Sequence, residues 1–245
     1  MSAPGLRCLH WRPVYSLKTA DSRYNRDHDM ADEGKTTGIS AVEFLPARIS
    51  LASLREAAGH CQGCPLYKNA TQTVFGQGRR SSRAFFVGEQ PGNDEDLQGK
   101  PFVGPAGRVL DQGLELAGID RGDAYVTNVV KHFKWVAKGK RRMHKTPSAR
   151  EIAACLPWLE KEIELIKPDV LVCLGATAAQ ALLGRSFRVS VQRGQVFPGK
   201  LTEYAVATVH PSSILRQPSS EDRQREMERF ISDLKVVAGL LNGKR

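Results

Sequence analysis

No stretch of this 245-residue chain approaches the ~20 consecutive apolar residues that cross a bilayer. The N-terminus holds no apolar segment of roughly 7–15 residues before a small-residue cleavage site, so no secretory signal is read there. Together these absences point to a reducing cytoplasm and away from a membrane. No internal repeat is present. Acidic residues are in short supply: 26 Asp and Glu face 36 Lys and Arg, a net charge of +10 and a pI of about 9.6. Such an excess suits a polyanionic partner, because each phosphate contact releases counterions, although a basic protein can also be merely soluble. Clustering favours the nucleic-acid reading. Lys131, Lys134, Lys138, Lys140, Arg141, Arg142 and Lys145 fall within one short stretch.

What remains is ordinary for a soluble globular protein, with 41% hydrophobic and 25% charged residues. Residues 1–40 are polar and lack a repeated apolar period. They read as a disordered extension, within which Met30 is an alternative start. Residues 41–245 read as a single domain. Short apolar runs at 84–88, 124–128, 170–174 and 205–210 predict four strands, each bounded by Gly, Asn or His. Helical patterns fall between and after them at 107–117, 148–166, 177–183 and 220–241. Ser148 before Glu151 is a capping-box signature, and Pro168 closes that helix. The alternation predicts a three-layer α/β/α fold around a mostly parallel, four-stranded sheet. Ligands of such sheets bind at the carboxyl ends of the strands, where Glu89, Gln90, Asn128 and His210 stand.

Cysteine is scarce but patterned. Cys8 lies in the extension; Cys61 and Cys64 form a C-x-x-C; Cys155 falls in the capped helix and Cys173 in a core strand. Structural disulfides are rare in the cytosol, whereas four thiolates can hold zinc or an iron–sulfur cluster. Zinc ribbons use two close pairs, and here the second pair is separated by 17 residues. Taken singly, Cys155 and Cys173 read as small buried hydrophobes. Asn128 read alone is a turn residue, Phe102 a core residue, and His144 a phosphate contact in a basic loop.

Four motifs accompany the cysteines in order: Gly88-Glu89-Gln90-Pro91-Gly92, Pro101 through Gly107, Thr127-Asn128-Val129-Val130-Lys131, and His210-Pro211-Ser212-Ser213. With the C-x₂-C-x₉₀-C-x₁₇-C spacing, they resemble the family-4 enzymes of the uracil-DNA glycosylase superfamily over roughly residues 44–240. Gln90, where those enzymes usually have Ala, and the inserted Lys140-Arg141-Arg142-Met143-His144 are similar to the UdgX subgroup, although that subgroup commonly has Ile at Met143. Its members cleave uracil from DNA and stay covalently attached.

The resemblance implies a [4Fe–4S] cluster on Cys61, Cys64, Cys155 and Cys173. It implies a uracil pocket of Gly88, Gln90, Phe102 and Asn128, and catalysis by His144 as nucleophile, Glu89 and His210. It further implies DNA contacts from Lys140, Arg141, Arg142, Ser212, Ser213 and Arg216. His132 is expected to face DNA. Ile214 and Leu215 are expected either to wedge into the base stack or to pack in the core. Gln90, Arg141 or Arg142 is expected to fix the inserted loop, and Gln90 or a neighbour to exclude the thymine methyl. The expected partners are uracil-containing DNA, single-stranded with duplex as the alternative, and free uracil as product, with the protein a cytoplasmic monomer associated with the bacterial nucleoid on DNA. Two other readings stay open: a turnover glycosylase that releases its product, and a non-catalytic, cluster-bearing nucleic-acid-binding module. An electron-transfer protein has little support.

Overall fold

A computed structural model describes residues 40–199 and 201–243. The expectations that fall on residues 1–39, Cys8 and Met30 among them, lie outside the described residues. The elements in chain order are α1 (Leu51–Ala58), β1 (Ala84–Gly88), α2 (Asn93–Gln98), α3 (Pro105–Ala117), β2 (Ala124–Asn128), β3 (Trp135–Lys138), β4 (Arg141–His144), α4 (Ala149–Ile166), β5 (Val170–Leu174), α5 (Ala176–Leu183), α6 (Val189–Gln192), β6 (Val196–Pro198), β7 (Tyr204–Thr208), α7 (Pro211–Leu215) and α8 (Ser220–Asn242).

The central sheet has the order β2-β1-β5-β7-β6, and the first four strands run parallel. These four are the strands the sequence predicts; the last ends earlier than expected because Val209-His210-Pro211 turns into α7. The sheet has five strands rather than four. The extra one, β6, is a three-residue antiparallel edge strand whose partly exposed residues carry no apolar alternation, and Pro198 closes it.

Parallel strands covered on both faces read as continuous apolar runs. Alternate residues of each strand feed two separate cores. Phe85, Val87, Tyr125, Leu171 and Cys173 pack with Trp158, Leu159 and Ile163 of α4 and with Ala178 and Ala179 of α5. Phe86, Val126, Val172 and Val206 pack with Leu110 and Leu114 of α3 and with Phe230 and Leu234 of α8. The layers are therefore α/β/α, as expected. Helix α4 carries the foreseen capping box: Ser148 Oγ accepts from Glu151 N, and Glu151 Oε2 accepts from Ser148 N at 2.6 Å. Among the described residues, no helix is long and apolar enough to cross a membrane.

One buried ion pair ties α4 to the site-bearing end of β2. Lys131 Nζ lies 2.5 Å from Glu162 Oε2, with both side chains almost wholly out of solvent. The ammonium also donates to Thr127 Oγ1 (2.6 Å) and to the carbonyl of Asn128 (2.8 Å). Glu162 Oε1 accepts from Tyr125 Oη (2.8 Å) and Gly76 N (3.0 Å). Lys131 is thus structural and does not belong to a nucleic-acid surface. Lys134 is likewise spent, on Glu151 at 2.7 Å.

Breaking this pair on one side strands a buried charge. Glu162→Ala should lower unfolding free energy by about 3–5 kcal/mol. Replacing both partners together, Lys131→Met with Glu162→Leu, should cost clearly less. Urea unfolding of the two variants checks this, and equal losses would contradict it.

Candidate functional site

The site forms where β1, β2, β5 and β7 end. The strand order reverses between β1 and β5, the crevice in which open α/β sheets hold ligands. Gly88 and Asn128 are register partners at the last rung of β1 and β2. Gly88 has no room for a side chain: a Cβ there would stand 2.3 Å from Asn128 Oδ1 and 2.8 Å from Phe102 Cζ. The missing Cβ lets the carboxamide and the aromatic ring converge. Asn128 and Phe102 are both buried, at 3% and 9% exposure, so any ligand that meets them is desolvated.

Phe102 adopts a left-handed backbone, φ +56°, which bulky residues avoid. Two contacts hold it there. A Cβ at Gly107 would come within 1.8 Å of the Phe102 carbonyl oxygen, so the first turn of α3 closes directly on it. Glu95 accepts from Gly92 N (3.0 Å) and Gly104 N (2.8 Å), joining the two loops that frame the ring. Strain of this kind gathers at ligand sites.

Across from Phe102, the His210 ring lies 6.1 Å away at 28°, close to parallel. Burial first of all pushes the His210 imidazole down to about 4, so it is neutral at ordinary pH. Its Nδ1 accepts from the backbone N–H of Ser212 at 3.2 Å. The proton of the neutral ring therefore sits on Nε2, which makes that nitrogen a donor. Ser212 Oγ bonds Nδ1 (2.8 Å) and accepts from Arg216 Nη1 (2.9 Å), while Ser213 Oγ donates to the His210 carbonyl (2.8 Å). Ser212, Ser213 and Arg216 thus brace the histidine, with Arg216 exposed at the rim. Ile214 is a core residue at 2% exposure, which settles it as packing; Leu215 is exposed.

The inserted basic segment is not a loop but a β-hairpin, β3 paired antiparallel with β4. Gly139, φ +60°, takes the first turn position, as a type II′ turn requires. Trp135 pairs with His144, so His144 shares a face with Trp135 and Arg142. Arg142 was expected on DNA and, with Gln90 or Arg141, as a residue that fixes the inserted segment. Its contacts fit the second role: it is stacked over Phe133 and Trp135, 5.5 Å from each ring, and bonds Asp96 (2.6 Å), Asn93 (2.9 Å) and Thr71 (3.1 Å). A guanidinium committed to this many partners anchors the hairpin to α2. Lys138, Lys140, Arg141 and Lys145 remain exposed.

Gln90 is 6% exposed and grips the base of the hairpin with both ends of its amide. Its Oε1 accepts from Lys134 N (3.0 Å), and its Nε2 donates to the carbonyls of Lys134 (3.2 Å) and Lys145 (3.1 Å). Its polar atoms hold the base of the hairpin, one of the three roles expected for it.

The hairpin carries His144 to Glu89. His144 Nε2 is 3.3 Å from Glu89 Oε1, with the imidazole half exposed and the carboxylate mostly buried. Glu89 Oε2 accepts from the hydroxyl of Thr177 in α5, while Oε1 is buried and accepts no hydrogen bond. Burial raises the Glu89 carboxyl, but the His144 ring, the Thr177 hydroxyl and the nearby His210 outweigh it, and the group is held below its ordinary value. It is a carboxylate with one oxygen on the Thr177 hydroxyl and the other facing the His144 ring. Thr177 escaped sequence reasoning, because a Thr in the first turn of a helix carries no signal of its own.

All four expected cysteines meet one core: Cys61, Cys155 and Cys173 are buried in it and Cys64 packs against it. Cys61, Cys64 and Cys155 lie within one another's electrostatic reach. Cys173, in central strand β5, has Val87 and Ala207 as its register partners. Two of the sulfurs receive N–H donors: Cys61 from Trp158 Nε1 (3.3 Å) and Gly63 N (3.5 Å), Cys155 from Lys131 N (3.3 Å). Donors aimed at sulfur favour a charged thiolate, the form a metal binds. Among the described residues, no three His, Cys, Asp or Glu side chains converge as a single ion needs. A cube of four irons holds each thiolate on a different iron, so its ligands stand further apart than those of one ion. Beside Cys61 lies a cavity of about 250 Å³, lined also by Tyr67, Thr73 and His132. His132 was expected to face DNA; it is buried, with Nε2 2.8 Å from Thr73 Oγ1, and burial pushes it down to about 4.

Phe102, Asn128 and His210 gather at the strand ends beside the Glu89 carboxylate and a basic hairpin, a set whose chemistry suits a flat, hydrogen-bonding ring carried by a polyanion. A family model described as the uracil DNA glycosylase superfamily matches residues 75–235. The chain is 40% identical over 174 residues to a type-4 uracil-DNA glycosylase of Thermotoga maritima, spanning 71% of this chain and 87% of that protein. It is 35% identical to the type-4 enzymes of Pyrobaculum aerophilum (70% of this chain, 87% of that protein) and Archaeoglobus fulgidus (76% and 89%). This chain belongs to the uracil-DNA glycosylase superfamily.

Gln90→Ala should free the hairpin without unfolding the domain. Backbone amides of residues 134–145 should exchange with solvent about tenfold faster or more, as orphaned polar groups at the hairpin base lose partners. Hydrogen-exchange mass spectrometry reads this, and unchanged exchange would remove Gln90 from the role.

Proposed function

We propose that this protein excises uracil from DNA and then captures the abasic sugar on His144. The observation that carries the reading is the 3.3 Å approach of His144 Nε2 to the buried Oε1 of Glu89 at the strand ends. An extruded uracil stacks on Phe102 and meets the Asn128 carboxamide, which accepts from N3–H and donates to O4. Cytosine offers the opposite pattern at both atoms, so neither contact forms with it. The N1–C1′ bond breaks with its electron pair leaving on uracil, and His210 Nε2–H donates to O2 as that charge grows. Glu89 faces the positive sugar. Imidazole held beside C1′ has a large effective-concentration advantage over water. Its nitrogen pair forms the new bond to C1′, and the resulting imidazolium loses its proton to Glu89 or solvent. Exposed Lys138, Lys140, Arg141 and Lys145 carry the hairpin onto the phosphates, and Arg216 lies at the opposite rim.

The experiment is a denaturing gel of protein with uracil-containing single-stranded DNA. A shifted band that survives denaturation is expected, because an N–C bond to imidazole leaves no easy leaving group. His144→Ser should abolish that band and leave uracil release with turnover. The names of the type-4 relatives favour a second reading, in which water captures the sugar. Steady turnover by the unaltered protein, with no stable band, would decide for it.

The same reading includes a [4Fe–4S] cluster. Cys61, Cys64 and Cys155 suit it, by their mutual proximity and the N–H donors on Cys61 and Cys155. Burial pushes the Cys155 thiol up to about 12, so it ionises only against a strong positive charge such as iron. When bound, the cluster would tie the segment around Cys61 to α4. Cys173, in the same core, is the fourth ligand of this reading. Protein isolated without oxygen should contain about four irons per chain. Cys155→Ala should lose the iron together with solubility. Zinc in place of iron would refute this assignment.

A further inference from the structure

Glu89 leaves the end of β1 and reaches across the crevice at which the sheet order reverses. On the far side, β5 ends at Leu174 and α5 begins at Ala176. Gly175, between them, has φ +93° and donates its N–H to the carbonyl of Thr208 at 2.9 Å. A Cβ at Gly175 would stand 3.0 Å from His210 Cβ, so this turn is packed against the base-activating histidine. Thr177 follows this turn directly, in the first turn of α5. Its hydroxyl donates to Glu89 Oε2 and not to its own helix. Oε1, the other carboxylate oxygen, is left buried and without a hydrogen bond, and it faces His144.

We propose that Thr177 is the positioning residue of the reaction: it turns the Glu89 carboxylate so that Oε1 faces the sugar, and it keeps that carboxylate charged. This rests on the reading that Glu89 acts at the sugar, but it does not depend on which nucleophile follows. A hydroxyl donating to Oε2 favours the ionised form, and burial opposes it. With the hydroxyl gone, the opposing effect is left less checked. The Glu89 pKa then rises, and the charged fraction is lost at higher pH than before. Thr177 has no part in reading the base, so binding should be spared.

The test is single-turnover kinetics of Thr177→Val and Thr177→Ser from pH 4.5 to 8, a range chosen to bracket ordinary carboxylate and imidazole values. Uracil release and adduct formation are measured in the same samples, and iron content and circular dichroism report folding. Thr177→Val should move the acid limb of the rate profile up by about one to two pH units and lower the rate at neutral pH about tenfold. The DNA concentration for half-maximal rate should stay within about twofold. Thr177→Ser should restore the profile. In a Glu89→Gln background, Thr177→Val should add nothing. An unmoved acid limb in folded Thr177→Val, or a full additional loss on top of Glu89→Gln, overturns the proposal. If Thr177→Val does not fold, a Thr177→Ser profile that departs from the parent's overturns it, and one that matches supports it. If the parent forms no adduct but uracil release shows the predicted shift, the His144 reading fails and Thr177 keeps its role.

Discussion

The buried Lys131–Glu162 pair is the constraint on which the site depends. Taking two charges out of water is costly, and the attraction between them offsets this only when every remaining proton and lone pair has a partner. Here they do. The ammonium reaches Glu162, Thr127 and the Asn128 carbonyl, and the carboxylate takes Tyr125, Thr127 and Gly76. The requirement to satisfy both ions fixes the distance between α4 and the end of β2. The Asn128 carbonyl is one of those partners, so the strand end cannot shift without exposing the ammonium. The backbone N–H of the same lysine points at Cys155. One residue therefore joins Asn128 of the candidate site, the central helix and the cysteine group.

Much of the fold was legible because parallel strands buried on both faces are apolar throughout, and four of them stand out against polar turns. Strand β6 was hidden: three partly exposed residues at an edge need no pattern. The hairpin was hidden for a related reason. Neither Trp135–Lys138 nor Arg141–His144 is buried, so no alternation was selected; what holds the hairpin are contacts made at long range, Arg142 to Asp96 and Gln90 to the chain at Lys134 and Lys145. Charge misled in the same stretch. Lys131, Lys134 and Arg142 look like their neighbours Lys138, Lys140 and Arg141 in sequence, yet the first three are spent on acidic partners far away along the chain.

The candidate site shows the same division. Gly88, Glu89, Phe102, Asn128 and His210 were legible from short motifs at strand ends, because the backbone there must turn tightly and leave space. Cys173 alone reads as a core strand residue; only the fold places it, near the end of β5, in the core that also holds Cys61 and Cys155. Thr177 was invisible because its partner lies 88 residues away in sequence.

These placements give the site a consistent electrostatic design. His210 is neutral because it is buried, and a backbone N–H fixes which nitrogen carries the proton; it can stabilise a departing anion without competing for protons. Glu89, a short distance off, is charged because donors outweigh its burial. Two groups of opposite tendency are thus pushed apart in their protonation, the division that the proposed reaction needs between base and sugar. His144 differs from both. It is half exposed and rides on a hairpin fastened at its base and flank, with exposed basic residues at its tip. In the proposed reading, the cations that meet DNA are therefore mounted on the same hairpin as the nucleophile, so that binding and capture share one element.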